Sequence, residues 1–206
     1  MQITVEPSHA CDTITGVILA GGLGKRMQQA DKGLVLFKQQ PLIHYALSAL
    51  TPLVDTILIN ANRNIETYSQ FGAPVIQDTR TGFDGPLAGV LTALHHAKTQ
   101  YLLVMPCDCP LIQTHHLQRL FDALVNANAE VAVAFDGLRS QSVFLALKTQ
   151  LINDLTAYLD AGERKVENWL QQRDTIKVDF SDQADIFINI NTVEQLQQLE
   201  QVLKHE

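Results

Sequence analysis

Short, mainly apolar runs alternate along this chain with longer stretches in which apolar residues return every three or four positions. The short runs are Ile14 with Val17 to Leu19, Thr56 to Ile59, Val75 with Ile76, and Tyr101 to Met105. They are too brief for buried helices and read as strands covered on both faces. The longer ones, Pro41 to Leu50, Ile65 to Phe71, Pro86 to Lys98 and Thr114 to about Ala127, carry the helical period. Pro41 and Pro86 stand at first helical positions, where a missing N–H costs nothing. Gly72 stops one helix and Thr114 is placed to cap another. Gly33 to Phe37 reads as a short extended piece. Glu130 to Phe135 and Ser142 to Leu147 read as strands joined through Asp136-Gly137-Leu138-Arg139, a hairpin-like connection. Helices are expected at Leu151 to Leu159 and Val166 to Gln171, and strands at Ile176 to Phe180 and Ile186 to Ile190. Thr192 caps a final amphipathic helix. Strand alternating with helix predicts an α/β fold, a three-layer α/β/α sandwich around a mainly parallel mixed sheet, with the hairpin as its antiparallel element. Residues 1 to 13 are mixed and polar and read as a loose lead-in. With no repeat, low-complexity run or linker, residues 1 to 206 are expected to form a single domain.

The polar residues follow this scaffold. The first strand runs into Ala20-Gly21-Gly22-Leu23-Gly24-Lys25-Arg26-Met27, with Asp31-Lys32-Gly33 close behind. Glycines let backbone N–H groups approach phosphates, and Lys25, Arg26 and Lys32 offer them positive charge. Neither a P-loop nor a dinucleotide fingerprint is present: Gly24-Lys25 is followed by Arg26, and Gly22-Leu23-Gly24 continues to Met27. Asn60 follows the second strand, Asp78 the third and Asp108 the fourth. Ligands of open parallel sheets bind outside those carboxyl ends, so the glycine loop is expected to be part of an active site. Asp108, between Pro106 and Pro110, is a rigidly aimed carboxylate of the kind that holds Mg²⁺ with the help of phosphates and water; a turn or capping aspartate is the plainer alternative.

Other polar groups add less. Cys107 and Cys109 lack a second ligand pair at zinc spacing, and the pairs His95-His96 and His115-His116 are not at i, i+4 spacing. No Gly-x-Ser-x-Gly elbow is present. Gly162-Glu163-Arg164-Lys165 reads as a solvated helix start whose charge could receive an anionic second substrate. Asn189 and Asn191 alternate on an expected strand, so both amides face one way, toward the crevice or as helix caps.

Composition narrows the classes. A net charge of −7 argues against a broad nucleic-acid-binding surface but leaves room for a local basic pocket. The longest apolar runs, such as Tyr101 to Pro106, are far too short to cross a bilayer, and the first dozen residues show no signal-peptide pattern. Three cysteines, an odd number, suit a reducing compartment, so the cytoplasm is the expected address.

The chain resembles the molybdenum cofactor guanylyltransferases, within the nucleotide-diphospho-sugar transferase type of Rossmann-like fold. The likeness runs through Leu19-Ala20-Gly21-Gly22, Arg26-Met27, Asp31-Lys32-Gly33, Asn60-Ala61-Asn62-Arg63, Asp78, Gly85-Pro86-Leu87-Ala88-Gly89, Pro106-Cys107-Asp108 and Asn189-Ile190-Asn191-Thr192. It implies transfer of GMP from GTP to the phosphate of molybdopterin or its molybdenum-bearing form, giving molybdopterin guanine dinucleotide and pyrophosphate. It also implies that Leu19, Ala20, Gly21, Gly22, Lys32, Asn60, Asp78 and Asp108 contact GTP. Arg26, Lys32 and Asp108 would be catalytic, Asp108 would hold Mg²⁺, and Asn189 and Asn191 would lie toward the pterin. Hand-over of a labile pterin implies transient contacts with cofactor-delivering and molybdoenzyme-maturation proteins. Gln28, Cys109 and Ser142 depart from the residues usual there: glycine, threonine and proline. The rival readings are a related nucleotidyltransferase using CTP or a sugar-phosphate acceptor, and a nucleotide-binding module without turnover.

Overall fold

Ile14–Leu19 (β1) is buried along all but its last residue, so the sheet that contains it has to be covered on both faces. The computed structural model describes residues 13–20, 31–79 and 85–202. After β1 come a small hairpin of Leu36–Phe37 (β2) and Gln40–Pro41 (β3), then Leu42–Leu50 (α1), Thr56–Asn60 (β4), Ile65–Ser69 (α2) and Val75–Ile76 (β5). Pro86–His96 (α3), Tyr101–Pro106 (β6), Thr114–Ala127 (α4), Val131–Phe135 (β7) and Ser140–Lys148 (β8) follow. The order closes with Ile152–Asp160 (α5), Val166–Gln171 (α6), Thr175–Asp179 (β9) and Val193–Val202 (α7).

Seven strands form one sheet in the order β5-β4-β1-β6-β8-β7-β9. Every strand but β8 runs the same way, because β8 is antiparallel to both β6 and β7 while β7 and β9 are parallel. The expected hairpin is therefore the one reversal. Asp136 makes its turn, with Oδ1 accepting from the backbone N–H of Leu138 at 2.8 Å and of Arg139 at 2.7 Å. Alternate strand residues feed two separate cores. Leu103, Met105, Ala132, Ala134, Phe144 and Ala146 face α1 and α4, while Leu102, Val104, Val131, Val133, Leu145 and Leu147 face α3, α5 and α6. A third cluster of Phe37, Leu42, Ile190 and Leu199 fastens α7 to the β2–β3 hairpin and α1. The three-layer sandwich around a mainly parallel sheet is the fold expected from the pattern.

Some local expectations are corrected. Pro41 stands just before α1, and Lys32–Leu34 winds into a 3-10 turn before the short strand β2. The cap of α4 is Gln113, not Thr114; its side chain accepts from the backbone N–H of His116, and His116 returns the bond. Ile186 to Ile190 is not a strand: Ser181–Phe187 is a kinked 3-10 segment, and Phe187 and Ile190 dip into different cores. Thr192 does cap α7, its hydroxyl accepting from the Gln195 N–H at 3.2 Å.

The connections define a switch point. From β1 the chain passes to β4 on one side, and from β6 it passes toward β7 on the other. In open sheets of this kind ligands bind in the crevice outside the switch point, here at the carboxyl ends of β1 and β6.

Candidate active site

Leu19 is the pivot of that crevice, paired in register with Asn60 on one side and Pro106 on the other. Beyond it, the Ala20 N–H donates to the Asn60 carbonyl at 2.8 Å and the Cys107 N–H donates to the Leu19 carbonyl at 3.2 Å. Asp108, only 7% exposed, leaves β6 on this rim. Its Oδ2 accepts from Lys32 Nζ at 3.0 Å, and the same ammonium donates to Asn191 Oδ1. The Asp108 carbonyl accepts from the Ile190 N–H at 2.9 Å, which lays the 189–191 segment across the strand ends. Lys32, Asp108, Asn189 and Asn191 are thus brought together although they come from the first, middle and last parts of the chain. The two asparagines meet this centre from an irregular segment crossing the rim rather than from a strand.

Cys109 belongs to the same centre. Its Sγ donates to Asn189 Oδ1 at 2.5 Å and lies 3.8 Å from Asp108 Oδ1. Burial, and secondarily the Asp108 carboxylate, push the Cys107 and Cys109 thiols well above the usual thiol range. Both are therefore neutral thiols, which suits a hydrogen-bond donor and not a soft-metal ligand.

On the other side of Leu19, Asn60 Nδ2 donates to Asp78 Oδ1 at 2.8 Å and Asn62 Nδ2 donates to Asp78 Oδ2 at 2.8 Å. The Asp78 N–H donates back to Asn62 Oδ1 at 2.8 Å, and the Thr92 hydroxyl of α3 donates to Asp78 Oδ1 at 3.3 Å. The helix comes this close only because residue 89 is glycine. A Cβ there would overlap Asn60 Oδ1 and stand 2.9 Å from Leu19 Cδ2.

Asp31 anchors the Lys32 turn. Its buried carboxylate accepts from Arg63 Nε at 3.2 Å, Asn64 Nδ2 at 3.1 Å and the Tyr68 hydroxyl at 2.5 Å. Burial first, then the neighbouring Cys107 and Asp31, raise the Tyr68 phenol far above its ordinary value, so it serves as a fixed donor. Gly33 leaves room for that hydroxyl.

Of the remaining expectations, Gly21, Gly22 and Arg26, with Lys25 and Gln28, lie outside the described residues. His95, His96 and His115 are exposed, and His116 is buried as part of the α4 cap. Arg164 Nη1 donates to the carbonyls of Leu159 at 2.7 Å and Glu163 at 2.6 Å, tying down the end of α5. Asp31 and Gly89 stand in motifs read from the sequence and Cys109 as a departure from them, but none had a role there, because each acts through a contact made only in the fold.

The family model of the MobA-like NTP transferase domain matches residues 16–176. The chain belongs to the MobA-like NTP transferases. The match to this family takes in the sheet through the first residues of β9, with Lys32, Asn60, Asp78 and Asp108, and ends before Asn189 and Asn191. A molybdenum cofactor guanylyltransferase of Shewanella piezotolerans is 50% identical over 194 residues, covering 94% of this chain and 95% of that one. One from Shewanella loihica is 48% identical over 192 residues, covering 93% and 98%. Among solved structures, a molybdopterin-guanine dinucleotide biosynthesis protein A from Archaeoglobus fulgidus superposes with a TM-score of 0.78 at 20% identity, covering 93% of this chain and 100% of that one. A 4-diphosphocytidyl-2C-methyl-D-erythritol synthase from Anaerococcus prevotii reaches 0.70 at 14% identity, covering 94% and 96%. These distant structures share the MobA-like fold. Among the described residues, no helix is long and apolar enough to cross a membrane.

Proposed function

We propose that the chain is a nucleotidyltransferase that moves GMP from GTP to the terminal phosphate of molybdopterin or its molybdenum-bearing form. An acceptor phosphate oxygen bonds to the α-phosphorus, the bond to the bridging β-oxygen breaks, and pyrophosphate leaves, giving molybdopterin guanine dinucleotide. The observation that carries this reading is the Lys32–Asp108 pair, closed by Asn191 at the switch point, in a chain half identical to guanylyltransferases. An ammonium and a carboxylate held together are matched to a nucleotide and its counter-ion, since phosphate oxygens compete for the first and the cation for the second.

The acceptor oxygen is already anionic, so no strong base is needed and the work reduces to alignment and charge neutralisation. We assign Lys32 and Arg26 to the phosphate oxygens, Leu19, Ala20, Gly21, Gly22, Asn60 and Asp78 to nucleotide binding, and Asn189 and Asn191 to the acceptor side. Mg²⁺ fits Asp108. Among the described residues no group of three or more His, Cys, Asp or Glu could cage a metal, and a lone carboxylate suits a cation that takes its other ligands from phosphates and water. Bound there, it would neutralise charge on the transferring phosphate. The reading treats residues 1 to 206 as one catalytic domain working in the cytoplasm, with transient contacts to proteins that deliver or receive the cofactor.

The test is pyrophosphate release with Mg²⁺, GTP and the pterin acceptor. Release should require both substrates and should be weak with CTP. Asp108→Asn should lower kcat by a factor of about a hundred or more, the scale of removing one electrostatic stabiliser. Full Mg²⁺-dependent turnover by Asp108→Asn would overturn the metal assignment.

A further inference from the structure

We propose that a groove beside α6 seats the ring of the acceptor, as a subsite for a 2-amino-4-oxopyrimidine ring whose phosphate points back toward Lys32 and Asp108. The proposal rests on the transfer reaction above and concerns residues to which nothing else in the site assigns a role. A cavity of about 590 Å³ lies between α6, the β7–β8 hairpin and β9, a volume in the range of small-molecule pockets. It exists because β9 is the edge of the sheet. Ile176 and Val178 of β9 turn toward the α4 side and join that core, while Thr175 and Lys177 point the other way and line the groove.

Its lining has a sorted chemistry. Glu167, on the first turn of α6, accepts the Ser142 hydroxyl at 2.5 Å, which fixes the carboxylate. That bond, helped by the residue's own backbone N–H, holds Glu167 below the usual carboxylate range. A fixed, ionised carboxylate pairs with two parallel N–H donors, and the 2-amino-4-oxopyrimidine edge presents such a pair. The other charges are cationic: Arg139, Lys177 and Arg173 line the same groove. Arg173 is held by Asp154 at 2.6 Å. Cationic donors at the wall match the occupant's acceptors, the ring's carbonyl oxygen and its phosphate.

The groove lies toward the same end of the sheet as the reacting centre. Val104 of β6 pairs with Leu145, which pairs with Val133; the ladder resumes at Ala134 with Gln141 and Phe135 with Ser140. The Asp136–Arg139 turn therefore projects past β7 at the height where β6 gives way to Asp108. Two strand spacings, about 10 Å, separate them, a span that a phosphorylated side chain on the ring can bridge.

Guanine carries the same ring edge, so the test separates the two sources. With the full chain, binding of the phosphate ester of 6-hydroxymethylpterin is followed by its intrinsic fluorescence, with GMP as competitor. The ester should bind. Glu167→Gln should weaken it about tenfold, the scale of one charge-assisted hydrogen bond, and Lys177→Gln several-fold. GMP should not displace it at comparable concentration, and the stabilisation of either variant by GTP should match wild type. Unchanged affinity in both variants, or equal displacement by GMP, would overturn the subsite. If the ester binds with these sensitivities but no pyrophosphate is released, the reaction fails and the subsite stands. If turnover proceeds with the acceptor KM unchanged in both variants, the subsite fails and the reaction stands.

Discussion

At position 89 a single hydrogen decides how closely α3 approaches the end of β4. In Gly89→Ala the new Cβ meets Asn60 Oδ1, and Asn60 cannot swing away without giving up its bond to Asp78. Alanine also favours the helix by about 1 kcal/mol, which offsets part of the 1–3 kcal/mol typical of overpacking. The net change in unfolding free energy should be about 1 kcal/mol, while GTP affinity falls several-fold. Denaturant unfolding and nucleotide titration on one preparation separate the two; unchanged affinity would remove Asn60 and Asp78 from the nucleotide site. Residues of this kind explain what was legible. The placement of Lys32, Asn60, Asp78 and Asp108 could be read because each follows a recognisable strand or glycine loop, and an end-of-strand polar residue is visible in one dimension. Gly89 and Cys109 could not, because their partners, Asn60 and Asn189, lie 29 and 80 positions away and are met only when the sheet has formed.

Among the elements, α4 shows how a cap couples to pH. His116 is buried, and its Nδ1 accepts from the Gln113 N–H at 3.0 Å. Protonation would remove that acceptor and place charge at a helix N-terminus, beside His115 and Arg119. Burial is the larger cause, and His115 the next, of a folded-state value lowered from the ordinary 6.5, with a bond to Gln183 opposing them. The unfolded chain therefore binds the proton first, so the contribution is present above about pH 6.5 and is lost as pH falls toward the folded value. Unfolding free energy should decline through this window by at most about 1.4 kcal/mol per pH unit from this group. His116→Gln should flatten that part of the curve, and an unaltered slope would exclude the group. The parallel strands and most helices followed from period and length alone. The expected strand at Ile186 to Ile190 did not form: Ile186 packs on the core under α1 and α4, Ile188 is exposed, Ile190 joins the cluster under α7, and the Ile190 N–H donates to the Asp108 carbonyl beyond the end of β6.

For the molecule as a whole, binding and stability are linked. A nucleotide that binds only the folded chain, held at about a hundred times its dissociation constant, adds about 2.7 kcal/mol. For a chain of 206 residues this corresponds to a rise in midpoint of roughly 5–10 °C. Thermal unfolding with Mg²⁺ should show that rise with GTP and much smaller ones with CTP, ATP and UTP. A larger shift with CTP would transfer the base preference. The segment that ties the centre together has a consequence for how the protein is made. Lys32 is joined to Asn191 across 159 positions, and Cys109 to Asn189 across 80. On the ribosome, where folding proceeds from the amino end, strands β1 to β8 can be in place while that clasp is still being synthesised. A nascent chain would then be a folded sheet without a finished reaction centre, inert toward its nucleotide until translation is nearly done.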